Sequence, residues 1–339
     1  MNPYAVAERL ALRAAMSTPL QHLARLRPVV VDGQTLAPDL QVMLVLQSLV
    51  RRRDEEVPIE RMRRAMRSET ALVGGTQPIG ETRELSVAGR PARHYLPTRP
   101  AVAGPGPLFL FVHGGGFIEG DLDTHDAPCR VLAELSGVPV LALTYRLGPE
   151  HVFPAAHDDI DAAVRWVHEH ADALGADPAR IAIGGDSAGG NLAASAALTA
   201  AREGLPLAWQ LLIYPCTDLD RDNRSLELFG EGFYLTREFM DRAERSHFET
   251  KEDLLDPRAS VVDAEIPAGL APAYVVTAGF DPLRDEGEDY ARRLAEAGVE
   301  VELQRHPGLI HGFLNIVGVG TAPRAAVEEL AGRLRAALV

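Results

Sequence analysis

Gly185-Asp186-Ser187-Ala188-Gly189 forms a G-x-S-x-G pattern. A serine set between glycines on a tight strand-to-helix turn is a nucleophile elbow, which exposes the hydroxyl for attack on a carbonyl. The context fits, with the apolar run RIAIG before it and the Ala-rich run NLAASAALTA after it. At a helix start the serine also sits where N–H groups and the helix dipole favour developing negative charge. Two other readings compete: a plain connection and a phosphate loop. The phosphate reading is weak, because G-x-x-x-x-G-K-[ST] is absent and the only lysine is Lys251.

A second motif, His113-Gly114-Gly115-Gly116-Phe117, follows the apolar run PLFLFV. A glycine run there exposes backbone N–H groups with no side chains in the way, as a tetrahedral oxyanion requires. A serine hydroxyl is a poor nucleophile without a base, and the base needs an orienting acid. In a serine site of this type the chain order is serine, acid, histidine. After Ser187 there are three histidines: His247, His306 and His311. His247 falls in an inserted segment and His306 at the end of a strand. His311, in GLIHGF, falls on a loop beyond that strand and is the candidate base. Asp281, in TAGFDPLRDEG, ends the strand AYVVTAG and is the candidate acid. It doubles as a candidate helix cap, with Pro282 suited to a first helical position. Asp285 is the alternative acid, placed inside the next helix and pointing away.

These residues need a frame. Residues 1–70 read as helical, from the spacing in LAPDLQVMLVLQSLVRRR and IERMRRAMRSE, with Leu20 to Val31 ambiguous. ELSVAG and ARHYLP alternate like a hairpin. Apolar runs then alternate with helical stretches: strands at 107–113, 139–145, 180–185, 209–215, 273–279 and 301–307, helices near 125–137, 155–174, 189–203, 284–297 and 321–338. Continuous apolar strands separated by helices predict a mostly parallel, doubly wound α/β sheet covered on both faces. Residues 216–268 are too long for a plain connection. They predict a subdomain over the sheet's C-terminal edge, where open α/β sheets bind ligands.

Composition narrows the function classes. The chain has 339 residues, 46% of them apolar, and a formal net charge of −14, which argues against nucleic acid and anionic membrane surfaces. Cys129 and Cys216 suggest neither a disulfide framework nor a metal cluster, and read as free thiols. The N-terminus lacks the apolar core of a signal peptide, and no run reaches the length of a membrane span. The expectation is a cytoplasmic protein without metal or cofactor, acting on a small molecule.

With GDSAGG, HGGGF, YRLGPEH, DPLRDEG and HGF all present, the chain resembles the bacterial hormone-sensitive-lipase-like carboxylesterases, from about residue 75 to the C-terminus. LAPDLQ resembles the usual start of that family's cap. The resemblance implies an α/β-hydrolase core over 71–215 and 269–339, and a helical cap from 1–70 and 216–268. It implies Ser187 as nucleophile, Asp281 as acid and His311 as base. It carries the oxyanion donors over as the N–H groups of Gly115, Gly116 and Ala188, while leaving open which two of Gly114–Gly116 donate. The implied reaction is hydrolysis of short-to-medium acyl esters by a monomer or homodimer. Gly148 stands where the family usually has Ala, and residues 1–35 precede its usual start. Asp186 and His113 read as structural residues, as do Tyr145-Arg146 through Glu150. His125, His151 and His157 read as packing or surface histidines. Phe117, Phe229, Phe233 and Tyr234 are candidates for an acyl pocket or for the core. An amidase or acyltransferase with the same residues, and a non-catalytic receptor on the same fold, are the competing functions.

Overall fold

The computed structural model describes residues 18–50 and 57–339. The first 17 residues and the basic run after Val50 lie outside the described residues. Eight strands form one sheet in the order β10-β9-β8-β7-β5-β6-β4-β3. They are β3 (Glu81–Val87), β4 (Arg90–Leu96), β5 (Gly106–Val112), β6 (Val140–Leu143), β7 (Ala176–Asp186), β8 (Trp209–Ile213), β9 (Ala273–Phe280) and β10 (Val301–Ile310). From β10 to β6 all neighbours are parallel, while β3 and β4 form an antiparallel hairpin on β6. Every residue of β5 and of β9 is buried. That follows from helices on both faces, since a strand covered on both sides must be apolar throughout.

The helices fall where apolar periodicity places them, with instructive differences. The expected helix near 155–174 is two, Ala155–Glu169 and Ala171–Leu174. At the break, the His170 ring stacks on Trp166 and its Nδ1 lies 2.8 Å from the Trp166 carbonyl oxygen. A side chain that engages a helix carbonyl favours termination there. Strand β10 runs past the expected 307. Its register on β9 shifts between His306 and Ile310, and Ile310 then pairs with Phe280. This extension sets the ends of β9 and β10 side by side. The stretch from Leu20 to Val31 resolves into a helix, Thr18–Leu26, and the start of a two-stranded hairpin, β1 (Val30–Val31) with β2 (Gln34–Thr35).

The inserted segment carries helices Arg224–Phe229, Arg237–His247 and Lys251–Leu254, capped by Asn223, Thr236 and Thr250. Each cap side chain accepts a backbone N–H that the helix start leaves unpaired. Helices Pro38–Val50 and Ile59–Gly74 complete the described N-terminal part.

Candidate active site

Four loops leave the C-terminal ends of β5, β7, β9 and β10, and each carries part of one constellation. Ser187 follows β7 directly and stands at the cap position of helix Ala188–Glu203, with φ 55° and ψ −121°. A non-glycine residue at positive φ is strained. Here the strain is held by the Ser187 N–H, which donates to the Ile213 carbonyl at 2.9 Å. Gly189 is required by close approach: a Cβ there would collide with the backbone oxygens of Val112 and His113, at the end of β5.

His311 Nε2 lies 2.9 Å from Ser187 Oγ, and His311 Nδ1 lies 2.8 Å from Asp281 Oδ2. Asp281 is fully buried and His311 nearly so. The cap role and the acid role of Asp281 do not compete. Its Oδ1 accepts the Leu283 N–H at 2.8 Å while Oδ2 faces the imidazole. Asp285 is in the following helix, where Oδ2 accepts the Ser225 N–H and Oδ1 accepts from Arg284. It is not turned to His311.

The glycine loop lies across from the serine. The Gly114 N–H donates to Asp186 Oδ1 at 2.8 Å, so this donor is occupied. Among the described residues, no such acceptor takes the N–H of Gly115 or Gly116. The Ala188 N–H opens a helix, where the first N–H groups have no intrahelical partner. Gly115 has φ 121°, a conformation open only to glycine, and a Cβ there would run into the Glu119 carbonyl.

Asp186 supports the loop. Besides Gly114 it meets His125 Nε2 at 3.1 Å and receives the Tyr214 hydroxyl at 3.4 Å. Burial alone would raise its carboxyl; His125 and the Gly114 N–H overcome that and hold it below the ordinary carboxylate range. His113 stacks on Tyr145 with centroids 4.4 Å apart, and the Tyr145 hydroxyl donates to the His113 carbonyl at 2.9 Å. Arg146 pairs with Asp159, and Glu150 with Arg63. His157 lies 3.1 Å from the Asn191 side-chain oxygen.

Two hollows meet at Ser187. The larger spans about 1120 Å3 with its open mouth included; Glu69, Glu119, Tyr234, His311 and Asn315 line it. The smaller, of about 370 Å3 and likewise open to solvent, runs beside helix Arg237–His247 and is walled by Phe117, Leu219, Leu235, Phe239, Met240 and Leu283, with Arg221 and Glu244. Of the aromatic candidates, Phe117 and Tyr234 line these hollows. Phe229 and Phe233 pack on each other and on Phe280. Leu219, Arg221, Glu244, Leu283 and Asn315 carry no signal in the sequence that marks them as lining residues.

A family model described as the α/β-hydrolase fold matches residues 109–315. The carboxylic ester hydrolase LipN of Mycobacterium tuberculosis is 45% identical over 325 residues, 92% of this chain and 86% of that protein. This chain belongs to the hormone-sensitive-lipase-like carboxylesterases. An ethyl acetate hydrolase of Pseudomonas putida is 37% identical over 83% of this chain and 93% of its own. A hyperthermophilic esterase from the archaeon Pyrobaculum calidifontis superposes with a TM-score of 0.84 at 36% identity, covering 89% of this carboxylesterase chain and 98% of its own. Among the described residues no group of three or more His, Cys, Asp or Glu is placed to hold a metal ion. No described helix is long and apolar enough to cross a membrane.

Proposed function

We propose that this carboxylesterase hydrolyses small esters with short-to-medium acyl chains through an acyl-enzyme on Ser187. The observation that carries the reading is the continuous relay from Ser187 Oγ through His311 to Asp281, at 2.9 and 2.8 Å. His311 Nε2 takes the serine proton as Oγ attacks the ester carbonyl. Asp281 holds Nδ1–H, fixing the tautomer and stabilising the imidazolium that forms. The tetrahedral oxyanion is received by the N–H groups of Gly115, Gly116 and Ala188, each contributing about 3 kcal/mol. His311 then protonates the departing alcohol, and water repeats the sequence to free the acid. No metal or organic cofactor enters this chemistry.

The smaller hollow takes the acyl chain and the larger one the alcohol. The segments 1–70 and 216–268 act as the cap over a core of 71–215 and 269–339, with residues of the first walling the larger hollow and residues of the second walling both. Free, buried Cys129 and Cys216 support a reducing, cytoplasmic setting. Strand β10 stands at the sheet edge, and a homodimer joined along it is compatible with the reading. Replacing Ser187 by Ala removes the nucleophile with little change in packing. Turnover of p-nitrophenyl butyrate is expected to fall at least about a thousandfold, with the melting temperature within a few degrees of the parent. Retention of most turnover would overturn the assignment.

A further inference from the structure

The exposed lining of the smaller hollow is almost wholly apolar, and one ion cluster is built into its wall. Arg221 stands in its wall with a side chain only 5% exposed. Its Nη1 donates to Glu244 at 2.7 Å, its Nε lies 2.6 Å from Glu286 Oε2, and its Nη2 reaches the Cys216 sulfur at 3.2 Å. Glu244 belongs to helix Arg237–His247, which flanks the hollow. Glu286 belongs to helix Arg284–Glu296 of the core, and its other oxygen accepts the Thr217 N–H at 2.9 Å. The cluster is close to the chemistry, because the Cys216 N–H donates to the Ser187 carbonyl at 3.2 Å.

A buried ion pair of this kind adds little to stability compared with apolar packing, yet is costly to break on one side only. That asymmetry makes the wall unequal. Leucine and methionine side chains around the hollow can change rotamer to admit a longer guest. The guanidinium cannot step aside without leaving the Glu286 carboxylate buried and unpaired. Burial already pushes that carboxyl up, against the pull of Arg221.

We propose that Arg221, pinned between Glu244 and Glu286, is the residue that limits acyl-chain length in this carboxylesterase. The inference rests on the esterase reading and on the smaller hollow being the acyl side. A longer chain meets a wall fixed by the pinned side chain where a free one would yield, so its added methylenes stay unburied. Each methylene that does become buried is worth roughly fourfold in binding.

The test compares p-nitrophenyl acetate, butyrate, hexanoate and octanoate as substrates of the parent and of the triple variant Arg221→Met, Glu244→Gln, Glu286→Gln. The variant removes all three charges at nearly constant volume. The octanoate-to-acetate ratio of kcat/KM is expected to rise at least about tenfold, carried mainly by a lower KM for octanoate. Glu286→Gln alone, which loosens the pin and keeps the guanidinium, is expected to move the ratio the same way by a smaller amount. It gives the answer should the triple variant fold poorly. A folded variant with an unchanged ratio, or one whose rates fall in parallel for all four chains, would overturn the proposal. Acetate hydrolysis by the parent, absent in Ser187→Ala, separates this outcome from failure of the esterase reading itself.

Discussion

At the residue scale the site depends on single atoms with divided tasks. Asp281 gives one oxygen to the Leu283 N–H and the other to His311. An amide cannot do both, because its NH2 must face either the imidazole or the backbone donor. Asp281→Asn is therefore expected to lower kcat by about 10⁴ through the wrong imidazole tautomer, with KM changed far less. Steady-state kinetics with circular dichroism checks this, and a loss under about tenfold would contradict the role assigned to Asp281. The grouping of Ser187, Asp281 and His311 was legible because their order along the chain and the elements around them leave few alternatives. Arg221 was not. It is one of many arginines in a chain of net charge −14, and only folding shows its partners to be the buried Glu286 and the partly buried Glu244. The glycine run reads from the sequence as a donor loop. The exclusion of Gly114 does not, since it depends on Asp186 reaching across from the next strand.

At the element scale, parallel strands bring loops distant in sequence to one edge. Apolar runs alternating with helices gave this away, because strands buried on both faces have no polar side to show. What the pattern could not show were effects of non-local pairing and local side-chain chemistry. The extension of β10 to Ile310 depends on a register shift against β9, and it is this shift that sets His311 beside Asp281. The break at His170 depends on one imidazole meeting one carbonyl. The role of the N-terminal hairpin was equally hidden. Asp32 pairs with Arg284 and Arg224, and Gln34 donates to the Gly279 carbonyl at 3.2 Å, so residues before the usual family start brace the loop that carries Asp281. Asp39 likewise accepts the N–H groups of Thr321 and Ala322, at the start of the last helix.

At the scale of the whole molecule, burial of neutral histidines couples folding to pH. The clearest case is His247, fully buried and stacked on Phe117, at the end of the glycine loop, with centroids 4.7 Å apart. Neither ring nitrogen has a hydrogen-bond partner among the described residues. Burial holds its pKa down to about 3, from an ordinary 6.5. The unfolded chain thus takes up a proton below pH 6.5 that the native chain refuses until near pH 3. This group's contribution is intact above pH 6.5 and is lost as pH falls through the window below it, by up to about 1.4 kcal/mol per pH unit. Buried carboxyls such as Glu119, raised to about 7, act in the opposite sense, so the effect is read as a difference. In urea unfolding, the stability of the parent minus that of His247→Phe is expected to decline steadily from pH 6.5 to 4. A difference that does not vary with pH would contradict a neutral buried His247.

The fold and the two hollows converge on one oxygen atom, Ser187 Oγ. The most direct measurement is labelling with diethyl p-nitrophenyl phosphate, read by intact mass and peptide mapping. One diethylphosphoryl group per chain is expected, on Ser187, with esterase activity lost in step and no label on Ser187→Ala. Label on another residue, or full activity in protein carrying the label, would contradict that expectation.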